Sequence, residues 1–294
     1  MAAAYAKILL FGEHIVLQGA EALAMPWTAF SGQWAWDADA SQQELPQFAN
    51  YLQELQQQDS LLTPLDMVAF QQDLQQGLYF DSNIPNGYGA GSSGALCAAL
   101  YKTYQTAPAP SDLVLLREQL AQLESFFHGA SSGTDPLICY LEQAIHIVPG
   151  QGIRAFDWNW KDYPDLHFFV IDTGIQRQTA PWVAAFKVKA EDKLFKAQMK
   201  DILIPASNQA IQALLQGQNE VLFRAFSQIS ALHYLNLKDF IPPAFHQLWK
   251  TGLNNDQYML KLCGAGGGGF ILGMSRNRQT IRQIAKAYNI LPIR

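Results

Sequence analysis

The sequence predicts an α+β protein of two domains, and three observations carry that expectation. The chain has 294 residues, 49% of them hydrophobic, enough to bury a large core and long enough for one large or two moderate domains. Strand patterns recur at both ends and in the middle, with long helical patterns between them. A loosely organised, aromatic stretch from Pro149-Gly150 to Pro164 interrupts the succession and is the candidate junction, so the domains are placed at residues 1–160 and 161–294.

Taken in order, Lys7 to Leu17 begins as a strand and is broken by Gly12-Glu13-His14. Trp27 to Trp36 suits a strand pair turning at Ser31-Gly32. From Ser41 to Asp59 the chain is rich in Gln, but Phe48, Leu52 and Leu55 share a helical face, which predicts a solvated helix. Ser111 is a suitable N-cap for a helix to Phe127, where Leu113, Leu116, Leu120, Leu123 and Phe127 recur at spacings of three and four, and Gly129 ends it. His146-Ile147-Val148 and the run from His167 to Ile171 read as strands. Pro181 to Trp249 reads as mostly helical, and Tyr258 to Met274 as strand, glycine turn, strand. There is no internal repeat.

The formal charge is −5, without a basic block, which argues against nucleic acid or an anionic membrane as partner. An anionic ligand would then be held by local groups: a helix terminus, a metal ion and a few cations. No apolar run approaches the length of a membrane span and no signal-peptide pattern opens the chain, so a cytoplasmic protein is expected. Cys97, Cys139 and Cys263 are scattered without C-x-x-C spacing and read as buried reduced thiols.

The most informative segment is Asn83 to Leu100, NIPNGYGAGSSGALCAAL. Gly87, Gly89 and Gly91 lead into Ser92-Ser93 and a helix-compatible run. Glycines let a backbone approach a ligand closely, and a helix starting just beyond offers free N–H groups and the positive end of its dipole, a combination that holds phosphate. A Walker A loop needs a Lys before its Ser/Thr, and no Lys lies between Ser82 and Lys102. Gly89 to Gly94 fits G-x-G-x-x-G, but the preceding segment is polar and Asp112 opens a helix pattern rather than ending a strand, so a dinucleotide fold is disfavoured. What remains is the Gly-Ser-Ser loop used by small-molecule kinases.

Two further segments support it. In Glu124 to Asp135, ESFFHGASSGTD, Glu124 and His128 share one helix face and a polar loop delivers Asp135. A carboxylate on a loop between a helix and a buried strand is placed to take a proton from a substrate hydroxyl. The structural alternative is a surface Glu124 and an Asp135 that merely caps the next element. Gly264 to Gly269 holds five glycines in six positions between apolar runs, either a flexible turn or a backbone forced close to a ligand or to the loops around it.

With these segments in place the chain resembles the GHMP family of small-molecule kinases. Its first motif is similar to Lys7-Ile-Leu-Leu-Phe-Gly-Glu-His14, its second to Pro85 through Ala95, and its third to Gly264 through Gly269. Within the family, Gly12-Glu13-His14, the Glu124 to Asp135 segment and the run from Asp172 to Thr179 are most similar to mevalonate kinases. The resemblance implies a ribosomal protein S5 domain 2-like N-terminal domain that binds ATP and a ferredoxin-like C-terminal domain. It implies transfer of the γ-phosphoryl group of ATP, with Mg²⁺, to a small hydroxylated acceptor, foremost the 5-hydroxyl of mevalonate, with a homodimer left open as the assembly. Phosphomevalonate kinase, a sugar or homoserine kinase, and a catalytically silent ligand-sensing relative are the rivals.

Residue by residue, Asp135 matches the catalytic base and Lys7 the lysine that pairs with it. Pro85, Gly87, Gly89, Ala90, Gly91, Ser92 and Ser93 match the ATP loop, whose backbone N–H groups would cradle the phosphates. Ser93 and Glu124 match the Mg²⁺ ligands, a donor set that suits a hard octahedral ion. Glu13, His14, Arg177 and Thr179 match acceptor positions, Arg177 because its planar fork can bind a carboxylate; its alternative is a surface ion pair. The chain departs from the family in having Tyr5-Ala6 where Pro-Gly is usual, and Ala90 and Gly94 where Leu and Ala are common. Gly94 is expected to weaken the helix start slightly.

Overall fold

The computed structural model describes residues 3–37 and 44–293. A first sheet holds β1 (Ala4–Phe11), β2 (Ala22–Trp36), β3 (Leu78–Ser82), β4 (Ala144–Val148) and β5 (Gly152–Phe156). Its order is β1-β2-β4-β5, with β3 also paired to β2, and every pairing is antiparallel. Its helices are α1 (Glu44–Gln57), α2 (Met67–Gln75), α3 (Ser92–Tyr104), α4 (Leu113–His128) and α5 (Thr134–Leu141).

The second sheet begins at β6 (His167–Asp172), and α6 (Thr179–Lys189), α7 (Lys193–Gln198), α8 (Ile204–Leu215), α9 (Asn219–Asn236) and α10 (His246–Asn255) follow. The hairpin β7 (Tyr258–Cys263) and β8 (Phe270–Ser275), then α11 (Arg278–Ile284) and β9 (Asn289–Leu291), complete it. Its order is β7-β8-β6-β9, again antiparallel throughout. The architecture is therefore α+β in two domains.

One apolar core links the sheets. Trp27 of β2 is 1% exposed; its ring meets Phe270 of β8 at 4.9 Å, and its indole N–H donates to the Pro292 carbonyl at 2.8 Å. Burying a tryptophan while satisfying its one donor stabilises such a junction by about 2–3 kcal/mol. Phe11 at the end of β1 packs edge-on against Phe226 of α9. Consequently the paired strands β1, which carries Lys7, and β2 are each tied to the second half of the chain.

Several local expectations needed correction. Trp27 to Trp36 is not a strand pair: β2 runs unbroken through Ser31-Gly32. Gly32 lies opposite Ser82, and a Cβ there would overlap the Phe80 ring; the glycine admits an aromatic side chain across the ladder rather than making a turn. A strand, β3, precedes the glycine loop despite its polar sequence, because Leu78 and Phe80 alternate inward. Asp112, not Ser111, caps α4, accepting from the Val114 N–H at 2.8 Å. The Gln-rich helix forms as α1 with Leu45, Phe48, Ala49 and Leu52 buried, while residues 41–43 of that expectation lie outside the described residues. The helical stretch after Pro181 and the closing hairpin match the reading. All three cysteines are buried and free, and among the described residues no helix is long and apolar enough to cross a membrane.

Candidate active site

The glycine loop takes its shape from alternation. Gly87, Gly89 and Gly91 have φ of +74°, +72° and +79°, a region other residues enter only at a cost. Gly91 is the N-cap of α3 and no side chain caps that helix, so its first N–H groups face outward over Ser92 and Ser93. Ala90 is tied to β1, its carbonyl accepting from the Lys7 N–H at 2.9 Å. A Cβ on Gly91 would lie 2.9 Å from the Lys7 side chain, which brings the lysine under the loop.

Lys7 is buried, 8% exposed, and its Nζ lies 2.9 Å from Asp135 Oδ2. Burial pushes the ammonium down, but the charge and hydrogen bond of Asp135 outweigh it and hold the amine above its ordinary value. Asp135 sits in the first turn of α5 behind Gly133, not on a loop as expected. The short helix sets a carboxylate at the positive end of its dipole. Gly133 is needed there because a Cβ would overlap the Arg117 carbonyl.

Beside this pair, Glu124 and His128 of α4 both reach Ser93. The Ser93 Oγ is 2.9 Å from Glu124 Oε1 and 3.0 Å from His128 Nε2, and Ser131 donates to the other carboxylate oxygen. Glu124 is 5% exposed, which rules out a surface charge. Its pKa is raised, first by burial and then by the negative Asp135, against the opposing hydrogen bonds of Ser131 and Ser93. A buried carboxylate so disfavoured, next to a hydroxyl and below a phosphate-type loop, fits a divalent cation. Among the described residues no three His, Cys, Asp or Glu side chains form a metal cage. The ion would therefore take most of its ligands from water and phosphate oxygens, as Mg²⁺ does.

Arg177 is 8% exposed, so the surface ion pair is also ruled out. Its Nη1 donates to Thr179 Oγ1 at 2.8 Å, and its Nε is buried without a partner. Burial lowers its pKa. Both glycine loops make room for it: Cβ atoms on Gly89 and Gly264 would lie 3.0 and 2.9 Å from its Nη2. His14, at φ +64°, stacks on Phe186 at 4.2 Å, and its Nε2 is likewise buried without a partner. Burial, then the charges of Arg177 and Lys261, lower its pKa to about 4, so the ring is neutral at physiological pH. Two buried nitrogens lacking partners, one of them on a cationic group, describe a subsite for an anionic or hydroxylated molecule.

Glu13 is different. Its carboxylate is 6% exposed and ion-paired with Lys261 of β7 through Oε1. Thr179 is exposed at the start of α6 and Pro85 is half-buried where the loop begins. The second glycine loop serves close packing: Cβ atoms on Gly266 and Gly269 would meet Phe240 and the Tyr88 carbonyl at 2.8 Å, and one on Gly267 would overlap the Trp182 ring. Lys261 escaped the sequence reading, although a lysine inside the six-residue strand YMLKLC, buried throughout, was a signal for a buried partner. His128 was placed on the right face without a role.

Comparison with known proteins finds similarity to small-molecule kinases. Residues 37–143 match the family described as GHMP kinases N terminal domain. A mevalonate kinase of Thermococcus onnurineus (strain NA1) is 24% identical over 99% of this chain and 92% of its own. The crystal structure of L. major mevalonate kinase in complex with R-mevalonate superimposes with a TM-score of 0.63 at 20% identity, over 97% of this chain and 89% of that one. The Streptococcus pneumoniae phosphomevalonate kinase does so with a TM-score of 0.64 at 16% identity, over 99% and 97%. The two structural likenesses show the fold and do not separate one acceptor from another.

Proposed function

We propose, from the premise that this chain belongs to the GHMP kinase family, that it transfers the γ-phosphoryl group of ATP to the 5-hydroxyl of mevalonate. The observation that carries this reading is the convergence of the Lys7–Asp135 pair, at 2.9 Å, with the Ser93–Glu124 pair, also at 2.9 Å, beneath the open N-terminus of α3.

In this reading Asp135 takes the proton of the acceptor hydroxyl while that oxygen bonds to phosphorus and the bond from phosphorus to the departing ADP oxygen breaks. Lys7 orients Asp135 through their ion pair and offsets charge on the moving group. The N–H groups from Gly87 to Ser93 hold the nucleotide phosphates, with Pro85, Ala90 and Ser92 shaping that loop. When bound, Mg²⁺ would offset phosphate charge, held by Ser93 and Glu124. Arg177 takes the acceptor carboxylate, with Thr179 holding the guanidinium, and neutral His14 offers a hydrogen bond. Catalysis then rests on positioning and charge, since phosphoryl transfer asks little covalent help of the protein.

Phosphomevalonate is a poorer fit, because a second anionic group would need a further free cation. Lys261, the other buried cation near Arg177 and His14, is already paired with Glu13. The test is a coupled ADP-release assay with Mg²⁺ against mevalonate, phosphomevalonate, homoserine and galactose. Turnover with mevalonate above the others is expected. Preference for another acceptor refutes the substrate, and ADP release with none of them leaves the silent ligand-binding relative in its place.

A further inference from the structure

Glu13 and Lys261 are ion-paired to each other rather than to a group that the proposed chemistry uses, yet the pair joins the two halves of the site. Glu13 follows β1 of the first sheet, and Lys261 lies on β7 of the second. Both side chains are almost completely out of solvent, and Lys261 also donates to the Leu262 carbonyl at 2.8 Å. Its Nζ sits 5.8 Å above the Phe11 ring. The other ionisable groups around the pair are Lys7, His14, His233 and Cys263, none of them an anion that could replace Glu13 at neutral pH, since burial raises the Cys263 thiol to about 11.

The turn that carries Glu13 needs a glycine on one side and is strained on the other. Gly12 has φ +107° and a Cβ there would lie 2.6 Å from the Ala22 Cβ; His14 has φ +64° without being a glycine. A backbone in this conformation persists only where its surroundings hold it. At the other end of the pair, β7 runs from Lys261 through Cys263 into Gly264, the residue against which the Arg177 guanidinium packs. One contact therefore clamps the turn presenting His14 onto the strand that floors Arg177. A buried ion pair adds little net stability compared with apolar side chains of similar size, so stability does not explain its presence.

We propose that Glu13 and Lys261 are positioning residues for the acceptor half of the site: their pairing across the two sheets fixes the Gly12–His14 turn so that His14 and Arg177 face one pocket. The inference rests on the kinase reading for the word acceptor, but not for the geometry. It also gives Glu13 an indirect role in place of the acceptor contact that its sequence position suggested.

The test uses Glu13→Leu, Lys261→Met and the double variant, with three measurements on each: the thermal midpoint, KM for ATP and for the acceptor, and the ¹H–¹³C resonances of the His14 ring, assigned through His14→Gln. Each single variant strands a buried charge and should melt lower; the double variant should regain a native midpoint. In that stable double variant the acceptor KM should rise about tenfold or more with the ATP KM within about twofold, because displacing one positioning group by an ångström has effects of that size or larger. The His14 resonances should leave the position that stacking on Phe186 gives them. Native acceptor KM, or native His14 resonances, in a stable double variant would overturn the proposal. If the native chain releases ADP with no acceptor, the kinase reading falls on that result alone, and the His14 resonances still decide the role of the pair.

Discussion

A Cβ added to Gly94 would lie 2.9 Å from the carbonyl carbon of Asp135 and 2.9 Å from the nitrogen of Pro136. The second residue after Ser92 in α3 is thus in backbone contact with the turn of α5 that carries the candidate base. The glycine departs from the alanine common in this motif, and its role is not to loosen the helix start but to let two helices close on each other.

Gly94→Ala should therefore impair the protein even though alanine is the better helix former. The propensity gain is at most about 1 kcal/mol, whereas overpacking against backbone that cannot swing aside costs about 1–3 kcal/mol. The expected result is a lower thermal midpoint and a kcat reduced about tenfold or more as Asp135 is displaced, with ATP affinity nearly native. A variant as active and as stable as the native chain would show that α5 yields freely.

Asp135→Asn should abolish phosphoryl transfer while leaving ATP binding intact, since loss of a general base costs about 10²–10⁴ in rate and the loop N–H groups are untouched. Single-turnover kinetics beside calorimetric ATP binding separate the two. Lys7 should not set an alkaline limit in the ordinary range. Its pKa is raised in the folded chain above 10.5, so its stabilising charge is fully present below that value and is lost only as pH rises through the higher folded one. A fall in kcat near pH 8 or 9 that Lys7→Arg displaces would contradict this.

Glu124 leads to a prediction of opposite sign. Its carboxyl pKa is raised above 4.5, so the metal-free native state binds a proton more tightly than the unfolded chain does. Its contribution to stability should decline as pH rises from 4.5 through the higher folded value. A cation must displace that proton, so the Mg²⁺ concentration needed for half activation should climb as pH falls toward the raised value. Glu124→Gln should raise the Mg²⁺ requirement and flatten this dependence. An unchanged magnesium titration in the variant removes Glu124 as a ligand.

Most of the site was legible because its chemistry is carried by local patterns. The alternating glycines before Ser92, the four-residue spacing of Glu124 and His128, and the Gly133 turn before Asp135 each imply their geometry through backbone rules that hold in any fold. What stayed hidden was tertiary. Gly32 looked like a turn because the Phe80 ring that demands it lies on another strand. The pairing of Glu13 was out of reach because its partner, Lys261, is supplied by the far end of the chain. Arg177 could equally have been a surface charge until its burial was known. Burial and long-range pairing depend on which faces meet, and periodicity leaves that open.

Arg177 supplies the sharpest separation of function from stability. Its guanidinium is buried, hydrogen-bonded to Thr179 through one nitrogen, and without a partner at Nε. Burial lowers its pKa, which means the folded chain carries this charge at a cost rather than a gain. Arg177→Met keeps the unbranched stem in the packing and removes the charge. The thermal midpoint should therefore stay within about 2 °C of native or rise, since an uncompensated buried cation is relieved. Acceptor binding should move the other way: a charge-assisted hydrogen bond is worth about 1.5–3 kcal/mol, so the acceptor KM should rise about 10- to 150-fold with the ATP KM little changed. Arg177→Lys should recover only part of this, because an ammonium cannot reproduce the planar fork. Calorimetric melting and a two-substrate kinetic matrix on the same preparations measure both sides. A variant that melts several degrees lower with an unaltered acceptor KM would make Arg177 a structural residue and move the anion subsite elsewhere.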